Sequence, residues 1–306
     1  MEMNIDLVYL WVDGNDPEWL EKKQLFMNKK INTTGRYQDN QELKYSLRSV
    51  EKHLPWVRKI FIVTDNQVPP FIDTSHPKIE IVNQSDIIPK KIGQTYNSVI
   101  IEYFIYKIPD LSEHFLYAND DMFVNANVSP SFFFKERIPT VRTTHNPLIK
   151  RKIQLKKALN ANINNYRLSI ENAYRLFEKK FNVFFPVTPH HNIDSYLKSD
   201  YKAVVEDVFK EELEATFLNR FRDKTDIQRI LFSYYAIAKK RGKLTYVSRK
   251  ESCQIRVHKT DYQRVITKYN PALFCLNDTE HATDNDRKHI QPFLEKMYPI
   301  KAKFEK

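Results

Sequence analysis

A mostly parallel α/β sheet is the fold this sequence predicts, and three segments carry the prediction. Ile5 to Val12 is nearly continuous β-branched and aromatic sequence that stops at the turn-rich Asp13-Gly14-Asn15-Asp16-Pro17. Lys59 to Asn66 is a second apolar run ending in polar residues, and Phe115 to Ala118 a third, ending in Asn119-Asp120-Asp121. Between the first two, Leu43, Leu47 and Val50 recur at helical spacing over Asn40 to His53, with Asp39 or Asn40 as the expected cap. Strands that alternate with helices lie parallel, and the loops at their carboxyl ends form the binding edge.

The remaining elements follow in order. Ile79 to Val82 reads as a short strand and Asn97 to Ile108 as a helix, and after about residue 150 the texture changes. Ile153 to Lys180 and Val204 to Lys240 are long, charged and helically periodic; Thr245 to Val247 adds a late strand and Ile290 to Met297 a terminal helix. The expected organisation is an α/β nucleotide-binding core over 1–150, a helical insertion over 151–245, and a segment over 246–306 that returns to the core.

A chain of 306 residues with 42% hydrophobic content is long enough to bury a large core. Its net charge of +11 favours anionic partners without choosing among them. Only four glycines occur, so neither a Walker A loop nor a Gly-x-Gly-x-x-Gly fingerprint exists, and ATP-cradling and dinucleotide folds are disfavoured. Cys253 and Cys275 stand far apart, which argues against a disulfide scaffold or a thiolate zinc site and fits a reducing compartment. The acidic start and the lack of any bilayer-length apolar stretch predict a cytoplasmic protein, soluble or peripheral at the inner membrane face.

Chemistry concentrates at the strand ends. Asp120 and Asp121 supply hard oxygen ligands suited to Mg²⁺ or Mn²⁺ on a diphosphate, although Asn-Asp-Asp is also ordinary turn chemistry. Acids and amides also close other segments at Asp13, Asp65, Asn66, Asn277 and Asp278, which turn chemistry alone does not explain. The basic stretch Lys150 to Lys157 reads as a solvated helix face that could meet an anionic polymer or lipid heads, and it is assigned no site role.

The order of these blocks resembles one family. Val8 to Pro17, Asp39 to Glu51, Pro55 to Pro69 and Leu116 to Phe123 are similar to successive blocks of the Stealth proteins. So are Thr188-Pro189-His190-His191, Arg220-Phe221-Arg222 with Asp226-Ile227-Gln228, and Phe274 to Asp278 with Met297-Tyr298-Pro299. That family comprises bacterial capsule and cell-wall hexose-1-phosphate transferases and the animal N-acetylglucosamine-1-phosphotransferase. The resemblance implies a GT-A-like, Rossmann-type core that binds a UDP-sugar, either a UDP-N-acetylhexosamine or a UDP-hexose. It also implies transfer of sugar 1-phosphate to a glycan or polysaccharide acceptor, lipid-linked in some cases, with release of UMP and no role for nucleic acid.

By the same resemblance His190 is the expected base, with His191 clouding the register, and Asp121 the alternative base. Arg222 grips phosphate, with Arg220 and Arg48 as further contacts. Tyr9, Trp11, Asp13 and Gly14 match the block expected to hold the uridine, and Asn40, Asn97 and Gln228 complete the donor site. The cation is assigned to Asp120, Asp121, Asn277 and Asp278. Two other functions fit less well: a glycosyltransferase of the same fold that releases UDP, and a non-catalytic polyanion-binding protein, whose basic and aromatic surface stripe is not evident.

Overall fold

The computed structural model describes residues 3–27, 39–279 and 281–306. Four parallel strands form its centre: β1 (Ile5–Leu10), β2 (Ile60–Thr64), β3 (Ile79–Asn83) and β4 (His114–Asn119). Their order is β3-β2-β1-β4, with the short antiparallel strand Asp194–Leu197 at the edge beside β4. This is the Rossmann-type order, in which the chain reverses direction across the sheet between β1 and β4.

Both faces of the sheet are covered, which is why its strands read as unbroken apolar runs rather than as alternating ones. Leu7 and Tyr9 face one side, packed by Leu43, Leu47 and Val50 of the helix Glu42–His53. Val8, Phe61, Phe115 and Tyr117 face the other, against Tyr103, Phe177, Tyr201 and Tyr234 from later helices. After β4 the chain turns back at once as β5 (Met122–Val124), which pairs antiparallel with Leu273–Asn277; that strand lies parallel to Ser252–Arg256. A further sheet is built on Ile138–His145 and flanks the first.

The structure corrects several expectations. The helix Glu42–His53 has neither Asp39 nor Asn40 as its cap: Gln41 holds that place at φ 63°, and the Asp39 carboxylate accepts the Gln41 N–H instead. Helical periodicity over Ile153 to Lys180 resolves into Ile149–Ala158 and Asn165–Phe181, because Asn160 takes a left-handed backbone and Asn164 caps a new helix. The segment 151–245 is not helical throughout, since Val187–Pro189, Asp194–Leu197 and Lys243–Tyr246 are strands. Runs of three or four residues are too short to show a period, and strand pairing rather than local propensity makes them.

Candidate active site

The carboxyl ends of β1, β2 and β4 open into a cleft of about 940 Å³, part of it open to solvent, at the β1/β4 reversal point. Ligands of open α/β sheets bind at that point, because the loops diverge there and leave a crevice. Trp11 forms one wall, and its buried indole N–H has no partner among the described residues. The loop that follows is braced by Gln67, which accepts from the Asp13 N–H at 2.9 Å and donates to the Asp13 carbonyl and the Asp16 carboxylate.

Asp120 enters the cleft from the end of β4. Burial, the neighbouring Asp121, and Glu42 and Asp39 behind them raise its carboxyl well above the ordinary carboxylate range. Burial raises Asp121 as well. The Cys275 thiol donates to Asp121 Oδ2 at 3.1 Å, while Oδ1 is buried without a partner among the described residues. Glu42 is raised to about 7, chiefly by burial. Mutually repelling carboxyls around one orphaned oxygen are a setting in which a divalent cation relieves charge.

Among the described residues no three His, Cys, Asp or Glu side chains converge as a metal cage. Mg²⁺ commonly takes one or two carboxylates and completes its shell with phosphates and water. Asp120 and Asp121 suit this role. Asp278 does not stand free for it, because Arg287 grips both of its oxygens at 2.7 and 3.2 Å; Asn277 ends its strand half-buried beside it.

Across the cleft stands Arg222. Its guanidinium donates to Ser98 Oγ at 2.8 Å and has no carboxylate partner among the described residues. Its loop is built by Asn97, which is fully buried. The Asn97 amide donates to both Asp226 oxygens at 3.0 Å and to the carbonyls of Asn219 and Phe221, and its own oxygen accepts from Val99 N–H. Asn97 therefore positions the arginine loop rather than touching the cleft. Arg220 donates to the Gln94 carbonyl and lies over the Phe26 ring at 4.4 Å, at the margin.

The two histidines diverge. His190 borders a separate cavity of about 330 Å³, with ring contacts to Ser252 Oγ at 3.1 Å and Thr144 Oγ1 at 3.4 Å. His191 stacks on Tyr166, ring centroids 5.9 Å apart. Burial first, then the charges of Arg229, His190 and Arg222, press its imidazole down to about 4, so it is neutral in ordinary buffers. The histidine that feels the cleft's arginine is His191.

Arg229, which the sequence did not single out, ties the two cavities together. It is buried, pairs with Asp194 at 3.0 Å and Glu102 at 3.4 Å, and lies 4.5 Å over the Tyr117 ring. Glu102 and Tyr117 face the cleft, whereas Asp194 and Arg229 face the His190 cavity. No local motif marks it, because its partners come from three distant segments.

Other expected donor contacts are occupied elsewhere. Tyr9 is wholly buried with its hydroxyl on Ser46 Oγ at 2.7 Å, since the pleat turns it into the core. Arg48 is drawn to the carboxyl-terminal segment, donating to Glu305 at 2.7 and 2.8 Å and to the Tyr298 carbonyl. Asn40 bonds Glu42, and Gln228 accepts from Ile230 N–H at the start of the helix Ile230–Ala238. Asp13 closes its own turn on Asn15 N–H, and Gly14 sits within that turn with no left-handed backbone.

The crevice at the sheet's reversal point, with Asp120 and Arg222 in its lining, lies where open α/β sheets bind their ligands. Residues 3–31 match conserved region 1 of the Stealth proteins and residues 36–141 match conserved region 2. The capsular polysaccharide phosphotransferase WcwK of Streptococcus pneumoniae is 30% identical across the whole of both chains. The capsular polysaccharide phosphotransferase fcs1 of Haemophilus influenzae is 35% identical over 92% of this chain and 80% of its own. Among solved structures, the galactosyltransferase LgtC overlays with a TM-score of 0.49 at 11% identity, covering 96% of this chain and 95% of that one. The chain belongs to the Stealth family.

Proposed function

We propose that the protein transfers a sugar 1-phosphate from a UDP-sugar to a hydroxyl of a glycan, in the assembly of a capsular or exopolysaccharide. The observation that carries this is Arg222, an arginine with no carboxylate partner among the described residues that lines the same cleft as Asp120. Family membership, with relatives named capsular and exopolysaccharide phosphotransferases, supports it.

The acceptor oxygen forms a bond to the phosphorus that carries the sugar, and the bond from that phosphorus to the bridging oxygen breaks. UMP leaves with that oxygen, and the sugar C1–O bond is untouched. Trp11 offers an aromatic wall to the base, and Arg222 holds two phosphoryl oxygens at once. The acceptor proton goes to a neutral imidazole, a role we assign to His191 because of its neutrality and its place beside Arg222. An anionic donor in the cleft offsets the two arginine charges and so raises that imidazole's basicity on binding. Asp120 and Asp121 would hold Mg²⁺ or Mn²⁺, which neutralises diphosphate charge when bound.

A panel of UDP-sugars with either cation and a glycan acceptor tests the proposal through the nucleotide released. UMP is the expected product; UDP would instead identify a glycosyltransferase. A chelator should stop turnover, and turnover undiminished by it would remove the cation from the scheme.

A further inference from the structure

The helix Ile149–Ala158 leaves one face unexplained by the fold. Ile149 and Ile153 are buried and anchor it, whereas Leu148, Leu155 and Leu159 are 49%, 61% and 69% exposed. At 3.6 residues per turn these three leucines fall within about 40° of one another, so they form a single apolar stripe. Arg151, Lys152 and Lys156 border it, and none of them has a carboxylate partner among the described residues. The other two cations of the helix are committed: Lys150 pairs with Glu178 and Lys157 with Glu171.

We propose that this face docks on an anionic phospholipid bilayer. Exposed leucine side chains rimmed by free cations match the boundary between acyl chains and headgroups, where apolar groups insert and phosphates meet the basic rim. A soluble polyanion would use the cations and gain nothing from the leucines, so the stripe favours a membrane. The net charge of +11 adds attraction of the same sign. Docking would bring the cleft close to the surface, because the next helix, Asn165–Phe181, carries Asn165 on the Arg222 carbonyl and Tyr166 on His191.

Co-sedimentation of the full chain with phosphatidylcholine vesicles, with and without phosphatidylglycerol, tests this independently of turnover. Binding is expected only when phosphatidylglycerol is present. R151A/K152A/K156A should bind roughly 100-fold more weakly, and L155S/L159S on the order of tenfold more weakly, with melting temperature and turnover of a soluble acceptor unchanged. Vesicle binding equal to that of wild type in L155S/L159S would overturn the proposal. So would dextran sulfate binding as tight as vesicle binding and equally insensitive to the leucines, which would mark a polyanion site.

Discussion

Individual side chains decide the chemistry. Arg222→Ala should lower kcat/KM by roughly 100- to 1000-fold while the melting temperature stays near wild type, since among the described residues its guanidinium holds only Ser98. Arg222→Lys should recover little of this, because an ammonium cannot hold two oxygens in one plane. The histidines separate cleanly: His191→Gln should cost about 100-fold or more in kcat, whereas His190→Gln should mainly disturb its contacts with Ser252 and Thr144. A neutral His191 is required, and its folded value is about 4. Protonation of His191 therefore cannot set an acid limb near neutrality. That limb belongs to the buried carboxyls that must ionise to hold the cation, Asp121 at about 6, and should move down as Mg²⁺ is raised. A limb at about 6.5 that ignores Mg²⁺ would contradict the assignment. At this scale the sequence exposed Asp120 and Asp121, because an apolar strand ending in two acids stands out from its surroundings. It could not separate His190 from His191, since the two stand side by side just past the strand Val187–Pro189 and only the fold sets their rings in different surroundings.

Elements place those groups. The loop 219–226 has no regular structure of its own, and Asn97 supplies the hydrogen bonds that its backbone lacks. Asn97→Ala should destabilise the protein by about 1–3 kcal/mol in urea titration, by leaving buried carbonyls and Asp226 short of donors. It should also lower kcat/KM through Arg222, and Asn97→Asp should rescue neither effect, since it places a carboxylate against Asp226. Wild-type kinetics in Asn97→Ala would show that the loop needs no such support. The parallel strands and the helix Glu42–His53 were legible because long apolar runs and a three-turn period survive local noise. The strand Asp194–Leu197 was not, because β4 rather than its own four residues makes it a strand. Arg48 sits on the predicted helix, yet its partner Glu305 lies 257 positions away, beyond the reach of any local pattern.

That long-range pair belongs to the whole molecule, since it fastens the carboxyl-terminal segment to the core. Arg48 and Glu305 each expose 4% of their side chains. Burial alone would raise Glu305, but the bidentate guanidinium outweighs it and holds the carboxyl below its usual range. The unfolded chain thus takes up this proton first as pH falls. The pair's contribution is complete above the unfolded value of about 4.3 and is lost as pH drops through the lower folded value. Arg48→Ala should cost about 3–5 kcal/mol near neutrality in denaturant titration, and less in strong acid. A loss independent of pH would show that packing, not charge, fastens this segment.

At the same scale, the proposed reaction transfers phosphorus, not the anomeric carbon, to the acceptor. A UDP-sugar carrying ¹⁸O in its C1–O–P linkage distinguishes the two by mass spectrometry of the products. Phosphoryl transfer predicts that the label stays between sugar and phosphorus in the new phosphodiester, with unlabelled UMP released. Labelled UDP beside an unlabelled glycoside would contradict the account.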